Sequence, residues 1–245
     1  MFELFVKEKT LPDAYHAALV ALHGSHDELP CPDYNTRQKE ASVTFVAESP
    51  LAEPMISKMF IADPRSLEQY RQEMLDGILD FEVERGNWEY TYHMRMTSQI
   101  PWLIEELRRN PESRRAVVMT RSESDMQTES PACLQHLQFF IRNEALHCKV
   151  LFRSNDACKA AFMNAFALIM LQKRIADALG LPVGIYTHRA NSFHVYQRDY
   201  EMFDGYVRRI MSGGELAFSY TDDWQELMDD AKPEIAKMVE ELKTR

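Results

Sequence analysis

The spacing of apolar residues alternates between two periods along the chain, which predicts a fold with both helices and strands. A repeat of three to four residues is typical of amphipathic helices, and strict alternation is typical of half-buried strands. The helical pattern covers residues 11–24, 63–81, 100–110, 162–179, 199–214 and 222–245. The extended pattern covers residues 41–48, 113–121, 134–152 and 183–196. Residues 24–40, which include Arg37, are mostly polar and predict a loop.

A hairpin is predicted in the middle of the chain, where two strand patterns flank the short turn Arg142–Asn143–Glu144–Ala145. The strand-rich middle is preceded and followed by helices. This order predicts an α/β (α+β) fold, with one sheet and helices packed on it. A length of 245 residues with 45% hydrophobic content is enough for one large core, so we expect a single domain over residues 1–245.

Composition and charge exclude several classes of function. The net charge of −10 argues against binding of nucleic acid, which needs a basic face, but allows a small anion held by local arginines. No apolar run approaches ~18 residues, and no basic segment followed by a long apolar stretch opens the chain. We therefore expect a cytoplasmic protein without a membrane span or signal peptide. The cysteines lack a CxxC pair, so we expect neither a metal site nor disulfides.

Four hydrogen-bonding residues in a row, Arg153 to Asp156, lie between a predicted strand and a long predicted helix. They place a cation, a hydroxyl, an amide and a carboxylate at one strand end. Arg37, Arg114 and Arg115 also precede or enter the strand-rich half. Because guanidinium groups match phosphate oxygens in pairs, these arginines form a candidate phosphate clamp. Surface arginines paired with carboxylates are the alternative that spacing alone leaves open.

Four further side chains carry candidate chemistry. Cys133 precedes a strand and is either a thiolate nucleophile or a buried structural cysteine. Asn164 lies in an apolar helix, where its amide either reads an edge such as that of uracil or pairs with the backbone. His194 and Tyr196 share one strand face and either donate to a sugar hydroxyl or form a satisfied core pair.

The order and spacing of these residues resemble the thymidylate synthase family. The segments that carry the resemblance are SRR at 113–115, PAC at 131–133, QFFIRNEALHCKVLFRSND at 138–156, FMN at 162–164 and HVY at 194–196. The resemblance is specific over residues 111–201 and looser over 35–96, and the chain looks most like the compact archaeal-type members. It implies a bent mixed sheet covered by helices on one face, with the other face forming a sheet-to-sheet homodimer.

The resemblance assigns roles around the nucleophile. It implies that Cys133 attacks the pyrimidine and that Arg153 holds the nucleotide phosphate near the thiolate. Ser154 would add a hydroxyl contact to the phosphate. Asp156 would belong to the pyrimidine and folate side of the cavity, and Asn164 would read the base.

More distant residues also receive roles from the resemblance. His194 and Tyr196 would contact the 3′-hydroxyl of deoxyribose. Arg114 and Arg115 would reach the phosphate in the neighbouring subunit's site, which implies an obligate homodimer with shared active sites. The remaining assignments are Arg37 as the fourth phosphate arginine, Tyr92 as the tyrosine that organises proton transfer and Glu73 as the general acid/base.

The implied reaction is reductive methylation of dUMP to dTMP, with 5,10-methylenetetrahydrofolate or a modified pterin analogue as the one-carbon donor. One alternative is a hydroxymethylase of the same fold that acts on dUMP, dCMP or CMP. A second alternative is a catalytically silent nucleotide-binding relative. The chain departs from the family pattern mostly on the folate side. For example, Leu134 follows the nucleophile where typical members have His, and Phe152 precedes Arg153 where many have Gln.

Overall fold

The computed structural model describes residues 2–25 and 28–244, which are organised around a mixed eight-stranded sheet. In chain order the strands are β1 (Glu3–Glu8), β2 (Glu28–Cys31), β3 (Thr36–Ala47), β4 (Ile56–Ser57), β5 (Val117–Met119), β6 (Leu134–Arg142), β7 (Ala145–Phe152), β8 (Asn155–Asp156), β9 (Val183–Tyr196) and β10 (Ala217–Phe218). The main path of the sheet is β1-β3-β9-β7-β6-β5, while β2 pairs with β3 and β8 with β9. The pairs β1–β3 and β7–β9 are parallel, and β3–β9, β6–β7 and β5–β6 are antiparallel. Strands β4 and β10 form a separate small sheet.

Helices cover one face of the sheet. They are α1 (Leu11–Gly24), α2 (Pro64–Asp76), α3 (Phe81–Glu84), α4 (Tyr92–Thr97), α5 (Ile100–Arg109), α6 (Ala161–Leu179), α7 (Tyr200–Ser212) and α8 (Gln225–Lys243). The side chains of Thr10 and Asp63 accept hydrogen bonds from the first turns of α1 and α2, and each of these helices has a proline in its first turn. Helix α6 ends at Gly180, which adopts the left-handed conformation (φ 71°).

The main core lies between the sheet and the helices. Most of α6 is buried there, consistent with its apolar residues on nearly all sides. The imidazole ring of His188 on β9 stacks between Phe45 of β3 and Phe152 of β7, with centroid separations of 4.5 and 4.8 Å. This stack joins three neighbouring strands directly behind the polar segment that follows β7.

The opposite face of the sheet presents a broad groove. Phe5, Phe140 and Ile185 line this groove, which has a volume of about 730 Å³, together with Lys7 and Lys149. The side chain of Phe5 is 68% exposed. No helix among residues 2–25 and 28–244 covers this groove, so an apolar surface of the sheet remains open.

The predicted mixed sheet with helices packed on it is confirmed, and several element bounds agree closely with their patterns, such as α1 and β9. The hairpin turn is also present, with Asn143 and Glu144 both in the left-handed region (φ 52° and 60°). No helix in the described part of the chain is long and apolar enough to span a membrane.

Three expectations about local structure were wrong. Within the stretch expected to be a loop, residues 28–31 and 36–40 instead form strands, because β2 pairs with the start of β3 around the left-handed residue Asn35 (φ 48°). The helix expected over 63–81 stops at Asp76, because Gly77 takes a left-handed conformation (φ 66°). Strand β1 was not anticipated, because its pairing partner β3 begins well beyond the intervening helix α1.

Candidate active site

A cavity of about 1080 Å³ opens where the segment before β6, the segment after β7 and the end of β9 meet the start of α6. Eight residues selected from the sequence line it: Tyr92, Cys133, Arg153, Ser154, Asp156, Asn164, His194 and Tyr196. These side chains come from six separate elements or loops, so the fold brings together residues that are up to about a hundred positions apart in sequence. The cavity is the candidate active site.

Four other selected residues lie elsewhere. Glu73 lines a smaller cavity of about 190 Å³ next to the candidate active site. The Arg37 guanidinium donates to the carboxylate and the backbone carbonyl of Glu28, and it is not among the cavity-lining groups. Arg114 and Arg115 line a separate open cavity of about 970 Å³ at the edge of the sheet. A single described chain therefore does not bring these arginines to Cys133.

Backbone contacts hold Cys133 at the entry to β6. The Arg153 side chain donates to the carbonyl oxygens of Ala132 (3.1 Å) and Pro131 (2.7 Å). The backbone N–H of Arg153 donates to the carbonyl oxygen of Cys133 (2.8 Å). Burial raises the pKa of the Cys133 thiol, and the positive charge of Arg153 lowers it in part. Arg153 therefore both positions the loop and favours the thiolate, the nucleophilic form of cysteine.

Tyr92 contacts the same loop from α4. Its hydroxyl oxygen accepts a hydrogen bond from the backbone N–H of Leu134 at 3.1 Å. Burial raises the pKa of Tyr92 well above its usual value, so the phenol keeps its proton. A hydrogen bond with the Tyr92 side chain opposes part of the rise that burial causes in the pKa of Tyr90, so the two tyrosines interact beside the cavity.

The polar segment after β7 combines cavity groups with anchoring groups. Asp156 Oδ1 accepts from the backbone N–H groups of Cys158 (3.0 Å) and Lys159 (2.9 Å), which forms the turn that leads into α6. The carboxylate is thereby fixed while it lines the cavity. The hydroxyl of Ser154 lies 3.5 Å from Nδ1 of His194.

His194 and Tyr196 form one wall of the cavity from the end of β9. Their rings meet edge to face with centroids 4.8 Å apart. Burial lowers the pKa of His194, and the Asp156 charge opposes part of that shift, so the ring is neutral at neutral pH. The two residues thus present neutral hydrogen-bonding groups, which suit a hydroxyl-bearing ligand.

Two cavity amides are held by groups behind them. Asn164 Oδ1 accepts a hydrogen bond from the hydroxyl of Tyr70 on α2. Asn155 Oδ1 lies 2.9 Å from Nε2 of His188, and Nδ1 of His188 lies 3.0 Å from the buried hydroxyl of Tyr186. The Tyr186 proton has only His188 as a partner among the described residues, so Nδ1 accepts, Nε2 donates and the Asn155 oxygen faces His188.

The cavity also contains residues that the sequence did not select. Tyr70 lies one turn before Glu73 on α2 and lines both cavities, which the helical spacing alone could have indicated. Arg121 lies 3.7 Å from Asp125, whose carboxylate already accepts two hydrogen bonds from Arg95 (2.6 and 2.5 Å). Those bonds hold the pKa of Asp125 at about 2. One carboxylate thus lies next to two guanidinium groups, and Arg121 is a second arginine that lines the cavity with Arg153.

No group of three or more His, Cys, Asp and Glu side chains among residues 2–25 and 28–244 is arranged to hold a metal ion. The chemical groups of the cavity are a thiol, guanidinium groups, carboxylates, amides, hydroxyls and an imidazole ring. This set fits an anionic ligand with a carbonyl-bearing ring that a thiolate can attack.

Comparisons with known proteins agree with this interpretation. The family model described as thymidylate synthase matches residues 66–239. A protein of Methanocaldococcus jannaschii described as "Putative thymidylate synthase" is 33% identical over 187 residues, which cover 71% of this chain and 83% of the relative. A protein of Methanosarcina barkeri with the same description is 27% identical over 84% of this chain and 95% of the relative. The structure of thermostable thymidylate synthase A from Bacillus subtilis matches with a TM-score of 0.69 at 16% identity, over 86% of this chain and 87% of that one.

Proposed function

The chain belongs to the thymidylate synthase family, and we propose that it methylates dUMP at carbon 5 of the pyrimidine to give dTMP. The observation that carries the proposal is one cavity that contains the Cys133 thiol, the Arg153 guanidinium and the Asn164 amide. These three groups match a carbon electrophile, a phosphate and a pyrimidine edge. We further propose that residues 1–245 act as one catalytic domain, since most buried apolar residues of the described chain belong to one cluster.

The proposed reaction begins with addition of the Cys133 thiolate to carbon 6 of uracil. A carbon–sulfur bond forms, and the electrons of the carbon 5–carbon 6 double bond move towards O4. An amide N–H of Asn164 donates to O4 and stabilises the charge that develops there. Carbon 5 thereby becomes nucleophilic enough to accept a one-carbon unit, after which its proton leaves and the sulfur is expelled.

Three residues are proposed to manage the protons. Tyr92 keeps its phenolic proton and touches the loop of the nucleophile. Burial raises the pKa of Glu73, so its carboxyl group can exchange a proton closer to neutral pH than an exposed glutamate. Asp156, fixed by two backbone N–H groups, supplies a carboxylate on the pyrimidine side.

The phosphate is proposed to bind at Arg153 and Ser154. Two of the five N–H donors of Arg153 bond to backbone carbonyls, which leaves donors for a phosphate. The wall also carries Arg121, but Glu129 and Asp156 offset these charges. A dianionic phosphate therefore needs further cations, and Arg114 and Arg115 of a second subunit are the proposed source.

The one-carbon donor is proposed to be 5,10-methylenetetrahydrofolate or a modified pterin analogue, which supplies the one-carbon unit and, in a methylation, the hydride. The smaller cavity fits a flat heterocycle with N–H donors, because Trp88, Tyr90 and Tyr92 line it beside the carboxylate of Glu73. These residues would hold the ring, orient it towards Tyr70 and Tyr92, and exclude water.

Hydroxymethylation is the second candidate. It shares the Cys133 addition and differs only at the end, where water rather than hydride reaches the exocyclic carbon. The raised pKa of Glu73 is as compatible with hydroxymethylation as with methylation. A partly buried carboxylate that lines the donor cavity is a suitable base for a water molecule. The nature of the product therefore separates the two reactions.

The test is incubation of the protein with dUMP and methylenetetrahydrofolate, followed by identification of the nucleotide product by mass. We expect dTMP together with oxidation of the donor to its dihydro form, and no product from the Cys133→Ser variant. A product heavier than dTMP by one oxygen, without oxidation of the donor, would establish the hydroxymethylase instead. Absence of any product with both folate and a modified pterin donor would contradict both reactions.

A further inference from the structure

Tyr70 links the amide of Asn164 to the helix that borders both cavities. Its hydroxyl donates a hydrogen bond to Asn164 Oδ1, and its side chain lines the main cavity and the smaller one beside it. Burial raises the pKa of Tyr70 far above its usual value. The hydroxyl therefore keeps its proton at neutral pH and acts as a donor towards Asn164.

This proton determines which way the Asn164 amide points. Across residues 2–25 and 28–244, Asn164 Oδ1 is the only hydrogen-bond partner of the Tyr70 hydroxyl. In the flipped amide the NH2 group would face the hydroxyl, and the Tyr70 proton would lose its acceptor among the described residues, which costs stability because the hydroxyl is partly buried. The oxygen of Asn164 is thus held towards Tyr70.

The fixed amide presents a defined edge to a ligand. The Asn164 nitrogen bonds to none of the described residues, and the residue lines the cavity although it is only 5% exposed. Its oxygen retains a second lone pair beside the NH2 group. Uracil complements this edge, because carbonyl O4 accepts and the adjacent N3–H donates. Cytosine has the reverse pattern, with a donor amino group beside an unprotonated N3.

We propose that Tyr70 is a specificity-determining residue, which makes the site select uracil over cytosine nucleotides by holding Asn164 in this one orientation. The inference rests on the proposed function, since it takes Asn164 as the group that contacts the base. Without the Tyr70 hydroxyl the amide rotates freely and can match either base. Tyr70 acts through Asn164 and is therefore a positioning residue.

The variant Tyr70→Phe removes the hydroxyl and keeps the ring. We expect wild-type protein to bind dUMP much more tightly than dCMP in calorimetric titrations, and Tyr70→Phe to reduce the ratio of the two dissociation constants by about tenfold. Tyr206→Phe is the matched control, because Tyr206 is a half-buried tyrosine of α7 outside both cavities. The control should keep the wild-type ratio.

A second pair of variants tests whether the effect passes through Asn164. In an Asn164→Ala background, the change Tyr70→Phe should leave the ratio unaltered, because no amide remains to be oriented. Wild-type preference for dUMP with an unchanged ratio in Tyr70→Phe would overturn this inference alone. An equal shift of the ratio in the presence and absence of Asn164 would also overturn it. Failure of wild-type protein to bind either nucleotide would overturn the proposed function and this inference together.

Discussion

The reactivity of Cys133 depends on a balance between burial and the charge of Arg153. Burial raises the pKa of the thiol, while the guanidinium lowers it. In the nucleotide-free protein, the thiolate fraction of Cys133 should therefore keep rising at pH values at which an exposed thiol is already fully ionised. Replacement of Arg153 by Gln removes the favourable charge and should shift the profile to higher pH still.

The rate of alkylation by iodoacetamide, followed by peptide mass analysis across pH, measures this profile. Cys148 and Cys158 serve as internal controls, because both thiols are buried and should react only on unfolding. Because Arg153 also anchors the loop, the melting temperature of the variant has to be compared with that of wild type. An unchanged pH profile in a folded Arg153→Gln variant would contradict the electrostatic role.

Asn164 offers a second test at the scale of one residue. In Asn164→Asp one carboxylate oxygen still accepts from Tyr70, while the other replaces the NH2 donor at the cavity. We expect kcat/KM for dUMP to fall and the dCMP-to-dUMP ratio of kcat/KM to rise by about tenfold, which corresponds to roughly 1.4 kcal/mol. Release of tritium from carbon 5 of each nucleotide measures thiolate addition. Faster release from dCMP than from dUMP by the wild-type protein would refute the assignment of the base.

The sequence indicated which residues share a cavity where a motif lies within a short stretch of chain, and it did not where the direction of a side chain matters. Cys133 and Arg153 fall in segments whose order alone indicated a shared site. Glu73 was selected on α2, yet it is Tyr70, one turn earlier, that reaches the main cavity. In the same way Arg37 was selected on β3, but the adjacent Gln38 lines the cavity, since successive strand residues face opposite sides.

At the scale of elements, the end of α2 leaves space for His93, the residue that follows Tyr92 on α4. Gly77 ends the helix with a left-handed conformation (φ 66°), and a Cβ atom there would lie 2.2 Å from the ring of His93. His93 in turn lies next to Tyr92 and bonds to Asp80 (2.6 Å). The left-handed glycine therefore leaves space for a ring on the helix that carries Tyr92 of the candidate active site.

We expect Gly77→Ala to lower the free energy of unfolding by roughly 2–4 kcal/mol, from backbone strain and the clash with His93 together. Turnover should fall as well, because the clash displaces the residue next to Tyr92. The matched control is Gly24→Ala at the end of α1, where nothing lies within 4 Å of the added atom. Thermal unfolding of both variants measures the difference, and equal stability of the two would contradict the role of Gly77.

Elements were predictable where the apolar pattern is long. Helix α6 is apolar on nearly all sides, strand β9 alternates over most of its fourteen residues, and the bounds of both agree with the pattern. Strand β1 is short and exposes Phe5, so its sequence lacks a clean alternation and its existence depends on pairing with β3. Strand β2 contains Pro30 and depends in the same way on β3.

At the scale of the whole molecule, the arginine pair that follows α5 and the open face of the sheet both point outwards. Arg114 and Arg115 line an open cavity with Arg142, remote from Cys133 of the same chain. The groove around Phe5, Phe140 and Ile185 exposes apolar side chains on the face of the sheet that no helix of the described residues covers. We propose a homodimer through this face, in which Arg114 and Arg115 of each subunit contact the phosphate bound in the other subunit.

Mixing of two inactive variants tests the shared site. Cys133→Ser and Arg115→Ala each lack one required group, but their heterodimer contains one site with a wild-type Cys133 and a wild-type Arg115 from different chains. We expect activity to reappear on subunit exchange. Sedimentation and mass analysis have to show that heterodimers form. Heterodimers without recovered activity, or a monomeric active protein, would contradict the exchange of arginines.

The central claim is that Cys133 adds to carbon 6 of a uracil nucleotide, and a covalent adduct tests it most directly. With 5-fluoro-dUMP and methylenetetrahydrofolate, the reaction should stop after the one-carbon transfer, because the fluorine at carbon 5 cannot leave as a proton does. Intact mass should then increase by one nucleotide and one donor per chain, and peptide mapping should place the adduct on Cys133. An adduct on Cys148 or Cys158, or none in a protein that still produces dTMP, would contradict the account.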